Sequence, residues 1–240
     1  MKRLLISILV TMTAAAAFGQ LSVGVRAGYG AFGAHFEPPS LEGDQVPLYE
    51  PNFGIMAIFN DKNNAGIQLE ANYAVKGWRE QDKDSSHIEY RRELTYLEVP
   101  LMTHFELGRG WFRIYGVVGP YVAFLRDDKT TAKNYDRRIA YNPYDLYNQS
   151  VRKIDFGNKA GLGFRVNIGQ HLSVFADARY DLQLAGSQNI FKKQPNGIQA
   201  SRLTEIGGSV GIVFNILPQR TEKVKEYYVP KEGFNDGFEE

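Results

Sequence analysis

The sequence contains no cysteine. This absence excludes disulfide bonds, thiolate metal sites, cysteine nucleophiles and a lipid anchor on cysteine. Net charge is nearly absent as well, because the formal charge is +1, and so the charge balance does not favour nucleic acid as a partner. After residue 20 the chain also lacks the run of about 18 apolar residues that a membrane-spanning helix needs. Any residence in a membrane would therefore have to be through strands.

The first nineteen residues have the composition of a signal peptide. A basic start at Lys2 and Arg3 precedes a short apolar segment over 4–12, and small residues precede an expected cleavage between Gly19 and Gln20. The alternative, a buried N-terminal helix, is disfavoured by these flanks. We expect a signal peptide at 1–19, one barrel domain at 20–217 and a mobile polar tail at 218–240 with little apolar surface to bury.

The clearest structural pattern is an alternation of apolar and polar residues from Tyr96 to Phe124, interrupted by the turn residues Gly108, Arg109 and Gly110. Period-two alternation places the two sets on opposite faces of a sheet. Each half exceeds the usual length of a soluble strand and suits a tilted strand that crosses a bilayer, which needs roughly 9–11 residues. The pattern predicts two long antiparallel strands.

The same alternation recurs along the chain and predicts eight strands, at 21–32, 53–59, 65–78, 96–107, 112–124, 155–168, 172–184 and 203–217. The longer connections are at 33–52, 79–92, 126–154 and 185–202, and they alternate with tight turns. Outer-membrane barrels have this pattern of long extracellular loops and short periplasmic turns. We therefore predict an all-β fold, an eight-stranded antiparallel up-and-down transmembrane β-barrel.

Alternation alone leaves a soluble, lipocalin-like barrel as the alternative, with its apolar face inward. Three observations favour the membrane orientation: the polar face carries both signs of charge in similar number, aromatic residues occur near both ends of the apolar face, and glycines are frequent on the polar face. Pro100 and Pro120 are unfavourable in the middle of a regular strand, because proline has no backbone N–H to donate to the neighbouring strand. We expect β-bulges to accommodate them.

Several segments resemble a known family: VKGW at 75–78, YLEVPL at 96–101, YGVVGPY at 115–121, DFG at 155–157 and GLG at 161–163. Together they are similar to the outer-membrane β-barrel family of Bacteroidetes that is labelled porin-family or PorT-like. The resemblance covers the chain after the signal peptide to about residue 217. It implies an eight-stranded barrel in the outer membrane of a Gram-negative bacterium, and it implies no single activity.

Charged residues on the polar face form the first candidate site, a network in the barrel interior. Its members are Arg26, Glu70, Lys76, Glu98, Arg113, Lys159, Arg165, Asp177 and Arg179. One interpretation is a salt-bridge plug that satisfies buried charges. The other is a narrow or gated path for ions.

The second candidate site is the loop at 126–154, where aromatic and basic residues interleave. Its members are Tyr135, Arg137, Arg138, Tyr141, Tyr144 and Tyr147. Tyrosine and arginine are enriched at interface hot spots, and so this loop is our candidate for recognition. The alternative is a solvated loop that folds onto the rim of the barrel.

Catalytic and metal-binding patterns are weak. The pair His171 and Ser173 resembles the His-x-Ser motif of barrel enzymes that deacylate lipid A, but it lies at a tight turn with no evident acidic partner. The four histidines are scattered, and we expect no metal and no cofactor.

These observations lead to an expected function, a non-enzymatic and monomeric barrel of structural or interaction type. We expect it to contact outer-membrane lipid and to recognise a surface ligand or partner protein through its loops, with no nucleic acid as partner. The alternative is a narrow pore for small solutes or ions, and a lipid-modifying enzyme ranks third.

Overall fold

The computed structural model describes residues 20–37, 43–61, 64–82, 89–133, 150–182, 189–193 and 198–216. In this part of the chain the strands are β1 (Gln20–Glu37), β2 (Gly43–Val46), β3 (Leu48–Asn60), β4 (Ala65–Asp82), β5 (Glu89–Arg109), β6 (Phe112–Lys133), β7 (Ile154–Ile168), β8 (Leu172–Leu182) and β9 (Ala200–Asn215). Among the same residues, no helix is long and apolar enough to span a bilayer.

Eight of these strands form a closed ring. In the order β1, β3, β4, β5, β6, β7, β8 and β9, each strand pairs in antiparallel fashion with the next one, and β9 closes the ring by pairing with β1. The exception, β2, is a four-residue strand that pairs only with the end of β4 and stands outside the ring. The predicted eight-stranded up-and-down barrel is confirmed. Closure removes the free edges of the sheet over the length that the ring strands share.

The strands reach further than the sequence predicted at the end that carries the long connections. β1 continues to Glu37, β4 continues to Asp82, β5 begins at Glu89 and β6 continues to Lys133. The prediction of loops over 33–52, 79–92 and 126–154 is therefore wrong at 33–37, 79–82, 89–92 and 126–133, which lie in strands. Outside the apolar band a strand no longer has to present apolar side chains outward, so its polar sequence resembles a loop while the backbone ladder continues.

The two mid-strand prolines do not introduce bulges, which corrects our expectation. The registers of β4 with β5 and of β5 with β6 are the same on both sides of Pro100 and Pro120. Pairing is skipped for two residues and then resumes, because a proline removes one donor without adding a residue. The register shift between β5 and β6 lies instead at Thr95 and Tyr96.

Side-chain direction follows the alternation. Val25 is 55% exposed whereas its neighbour Arg26 is 8% exposed, and the apolar set of every ring strand faces outward in the same way. Outward aromatics form one belt near the short turns (Phe105, Trp111, Phe112, Phe214) and another near the long connections (Tyr29, Tyr49, Phe53, Tyr73, Phe124, Phe156, Tyr180). Two such belts mark the interfaces of a bilayer.

Beyond the second belt the outward positions become charged. Arg79 pairs with Glu89, and Arg91 pairs with Glu50 and Glu93. We therefore place the limit of the membrane-spanning surface between Tyr73 and these arginines.

Candidate functional site

Among the described residues, the barrel interior contains three clusters of charged and polar side chains. The lower cluster (His104, Glu106, Arg113, Arg165) lies nearest the short turns. The carboxylate of Glu106 accepts hydrogen bonds from Arg113 at 2.8 Å and pairs with Arg165 at 2.7 Å. The ring of His104 lies between Gln68 and Glu106, with its nitrogens 2.6 Å and 2.9 Å from their side-chain oxygens.

The middle cluster (Arg26, Glu70, Asp177, Arg179) is charge-balanced. Glu70 accepts from Arg179 at 2.7 Å and from Arg26 at 3.1 Å, while Arg179 also donates to Asp177 at 2.8 Å. Gln68 donates to Glu70 and so connects this cluster to the lower one. Two guanidinium groups therefore neutralise two carboxylates within hydrogen-bond distance, as buried charges require.

The upper cluster (Lys76, Lys159, Glu98, Asp181, Glu205) has two ammonium groups and three carboxylates. Glu98 accepts from Lys76 at 2.7 Å and from Lys159 at 2.6 Å. Glu205 lies 2.9 Å from Lys159 and 3.2 Å from Lys76. The three carboxylates offer oxygens within 4.8 Å of one another, a spacing that suits a metal ion, but the charges seated among them here are the two ammonium groups.

All nine residues of the predicted interior network lie inside the barrel, and each belongs to one of these clusters. The candidate list omitted four members of the clusters, His104, Glu106, Asp181 and Glu205, although the alternation along their strands places all four on the polar face. Tyr121, whose ring centroid is 4.7 Å from the ammonium of Lys76, was also missed.

Above the upper cluster the interior becomes largely aromatic. The aromatic mouth (Phe36, Trp78, Tyr90, Tyr96, Phe191) is fully buried, with each side chain at most 2% exposed. Phe191 comes from the connection between β8 and β9, and its ring lies 6.0 Å from Trp78 and 6.5 Å from Phe36. A segment outside the ring thus contributes a side chain that fills the open end of the barrel.

Backbone hydrogen bonds hold this segment in place. Phe191 forms a β-bridge with Val151, and the flanking amides of Arg152 and Lys192 donate across it to Ile190 and Ser150. The amide of Ile190 donates in turn to Ser201 near the start of β9. The segment at 189–193 is therefore tied both to the connection that precedes β7 and to the start of β9.

Among the described residues, Glu80, Tyr90 and Arg92 are titratable groups in the mouth beyond the limit of the membrane-spanning surface. The guanidinium of Arg92 lies 5.7 Å from the ring centroid of Phe191 and pairs with Asp128 at 2.7 Å. Burial raises the pKa of Glu80 to about 7, although its contact with Trp78 acts in the opposite direction. Burial also raises the pKa of the Tyr90 phenol to about 12. Both shifts favour the uncharged forms of these side chains, because burial in the mouth removes the water that would solvate their charges.

The remaining sequence candidates are not brought into a site. The loop residues Tyr135, Arg137, Arg138, Tyr141, Tyr144 and Tyr147 lie outside the residues that the structure describes. His171 is exposed and lies 3.1 Å from the carbonyl oxygen of Asn215, whereas the Ser173 hydroxyl donates to Asn167 at 2.8 Å. Each side chain thus has its own structural partner at the turn.

Comparisons with known proteins agree with this architecture. The family model described as "Outer membrane protein beta-barrel domain" matches residues 13–187. None of the curated proteins compared with this sequence matches it. Among solved structures, OprG from Pseudomonas aeruginosa aligns with a TM-score of 0.52 at 13% identity, covering 82% of this chain and 96% of that one. This likeness shows the fold.

Two further structures are similar over comparable lengths. Ail from Yersinia pestis, solved with the heparin analogue sucrose octasulfate, aligns with a TM-score of 0.41 at 11% identity, covering 82% of this chain and 99% of Ail. OmpW from E. coli aligns with a TM-score of 0.39 at 15% identity, covering 79% of this chain and 97% of OmpW.

Proposed function

The chain belongs to the outer membrane protein β-barrel family, and from that premise we propose that it is a closed barrel whose extracellular loops recognise a surface ligand or a partner protein. The family places it in the outer membrane. The observation that carries the proposal is the occupancy of the interior, where three ion-pair clusters and the aromatic mouth follow one another along the axis. A barrel whose interior is filled in this way is suited to be a rigid support for its loops rather than a channel.

The energetics of the interior support closure. An ion path would require buried pairs to separate, and removing one partner of a buried pair typically costs about 3–5 kcal/mol. The side chains of Lys76, Glu70 and Glu106 are completely buried. A thermal opening that breaks several such pairs at once would be rare.

We expect the purified barrel to be silent in planar lipid bilayers. Heat-modifiable gel mobility would first establish that the refolded protein is a barrel, and conductance would then be recorded at both polarities. As a matched control, a conducting outer-membrane porin would be inserted under the same conditions. Steady, voltage-independent conductance steps from the folded protein would contradict the proposal and support the alternative, a narrow pore.

Recognition is assigned to the loop within 134–149, which connects β6 to β7 and carries the interleaved tyrosines and arginines. Support comes from its composition and from its position between two strands of a closed ring. Replacing 134–149 by a Gly-Ser linker of equal length is expected to abolish surface crosslinks on intact cells. The variant should retain heat-modifiable mobility, and unchanged crosslinks from it would contradict this assignment.

The proposal also includes export and a monomeric barrel. The basic start at Lys2 and Arg3 and the short apolar segment over 4–12 support a signal peptide at 1–19. Intact-mass measurement of the purified protein is expected to give a chain that begins at Gln20. The finer resemblance to PorT-like barrels of Bacteroidetes is supported by the block YLEVPL at 96–101, whose inward residues Tyr96 and Glu98 are both buried.

A further inference from the structure

The carboxyl group of Glu80 is buried in the aromatic mouth. Glu80 follows Trp78 on the inward face of β4, with Gln45 of β2 opposite it on one side and Tyr90 of β5 opposite it on the other. Glu80 is 3% exposed, and the neighbouring Trp78 and Tyr90 are no more exposed than that. This carboxyl group therefore lies among aromatic rings rather than in water, although it is beyond the limit of the membrane-spanning surface.

The surroundings of Glu80 offer little to stabilise a negative charge. Its Oε1 atom is buried and accepts no hydrogen bond from any residue that the structure describes. The cation of the mouth, Arg92, donates instead to the carboxylate of Asp128 from two nitrogens, at 2.9 Å and 2.7 Å. Glu80 contacts the indole of Trp78 and faces the phenol of Tyr90, which burial keeps protonated. A buried carboxylate without a paired cation is costly, whereas the protonated acid is much less so.

The other charged groups described at this end are in contact with water. His35 and Glu37 of β1 lie 3.4 Å apart, with 54% and 50% of their side chains exposed. Lys192 and Lys193 of the segment 189–193 are exposed as well. Arg152, beside that segment, donates its Nε hydrogen to the carbonyl oxygen of Phe191. Glu80 is therefore the described carboxyl group whose ionisation would conflict with the packing of the mouth.

Trp78 connects Glu80 to the segment that fills the open end of the barrel. The ring centroid of Trp78 lies 6.3 Å from that of Tyr90 and 6.0 Å from that of Phe191. Phe191 is completely buried, and a few backbone hydrogen bonds hold the rest of its segment. Water must reach Glu80 before its charge can be solvated, and these rings exclude water. Ionisation of Glu80 therefore has to disturb the packing in which Phe191 takes part.

We propose that Glu80 is a proton-controlled latch on the mouth of the barrel. While the proton is bound, the carboxyl group stays buried and Phe191 seals the open end. When the proton leaves to solvent, the carboxylate has to be hydrated, and the water that enters the mouth releases the segment 189–193. The latch depends on the mouth alone and not on what the extracellular loops recognise.

The direction of the pH dependence follows from linkage. The closed mouth binds the proton of Glu80 more tightly than the open mouth does, so a rise in pH favours the open state. Burial raises the pKa of Glu80 from 4.5 to about 7. The closed mouth accordingly has its full stability below about pH 4.5 and loses stability as the pH rises through about 7.

Hydrogen exchange across a pH series tests the latch in the full-length barrel folded into phosphatidylcholine nanodiscs. The reporters are the amides of Ile190, Arg152 and Lys192, which hold the segment. After correction for the intrinsic exchange rate at each pH, their protection is expected to fall by more than about tenfold between about pH 5 and about pH 8. Amides in the ladder of β7 with β8 should keep their protection, which separates release of the segment from unfolding of the barrel.

Substitutions identify the group that titrates. Glu80→Gln keeps the shape of the side chain without its charge, and protection of the three amides should then no longer vary with pH. Glu93→Gln is the matched control, because Glu93 pairs with Arg91 on the outer surface of the same end, and it should retain the fall in protection. His35→Gln, which removes a histidine from this end, should retain it as well.

Should Glu80→Gln fail to give heat-modifiable barrels, Glu80→Leu removes the charge at the same position and is expected to behave in the same way. Corrected protection that does not change with pH in the wild-type barrel would overturn the proposal. So would an equal fall in the Glu80 variant, or a fall that His35→Gln abolishes.

Discussion

Replacing Lys159 with Met is expected to lower the free energy of unfolding of the barrel by about 3–5 kcal/mol. Lys159 lies 2.6 Å from Glu98, 2.9 Å from Glu205 and 3.5 Å from Asp181. Without it three buried carboxylates would surround the single ammonium of Lys76. Their mutual repulsion in a site shielded from water is not compensated by any gain in packing.

Urea titration of the protein folded into lipid vesicles measures this loss as a lower midpoint of unfolding. Arg91→Met provides a matched control, since Arg91 pairs with Glu50 and Glu93 on the outer surface, where its side chain is 35% exposed. Exposed pairs contribute only about 0–1 kcal/mol. Adding Glu205→Gln to Lys159→Met removes one charge of each sign and should recover part of the stability. A Lys159→Met barrel that unfolds at the wild-type midpoint would refute the structural role of the upper cluster.

Replacing Phe191 with Ala is expected to cost about 3–5 kcal/mol within the aromatic mouth. The ring of Phe191 is completely buried and contacts Phe36, Trp78 and the guanidinium of Arg92. Since the segment 189–193 is joined to the barrel by few backbone bonds, we expect it to open locally while the ring of strands persists.

Hydrogen exchange detects this opening at the amides of Ile190, Arg152 and Lys192, which donate across the segment. Their exchange should become markedly faster in Phe191→Ala, whereas amides in the ladder of β7 with β8 should keep their protection. Lys193→Ala, in the same segment with an exposed side chain, is the control and should leave every rate unchanged. Wild-type exchange at the three amides in Phe191→Ala would show that Phe191 does not anchor the segment.

Strand number and side-chain direction could be predicted without the structure because both follow from local patterns. A strand places successive side chains on opposite faces, so the alternation of Val23 and Val25 with Gly24 and Arg26 already assigns each to one side of the wall. The tight turns are local as well, and Gly110 and Gly169 adopt positive φ values of 72° and 75° where turns were predicted. Strand ends could not be predicted, because beyond the lipid the outward face no longer has to be apolar.

The amino-acid sequence by itself determined that this chain crosses the membrane with eight strands and turns its charges inward. Only the tertiary structure decided which of those charges meet. Lys159 and Glu205 are 46 residues apart in the chain, and their contact depends on the register of several strand pairs around a closed ring, which no local pattern specifies. The insertion of Phe191 has the same cause, since its contacts with Phe36 and Trp78 depend on which distant strands surround the open end of the barrel.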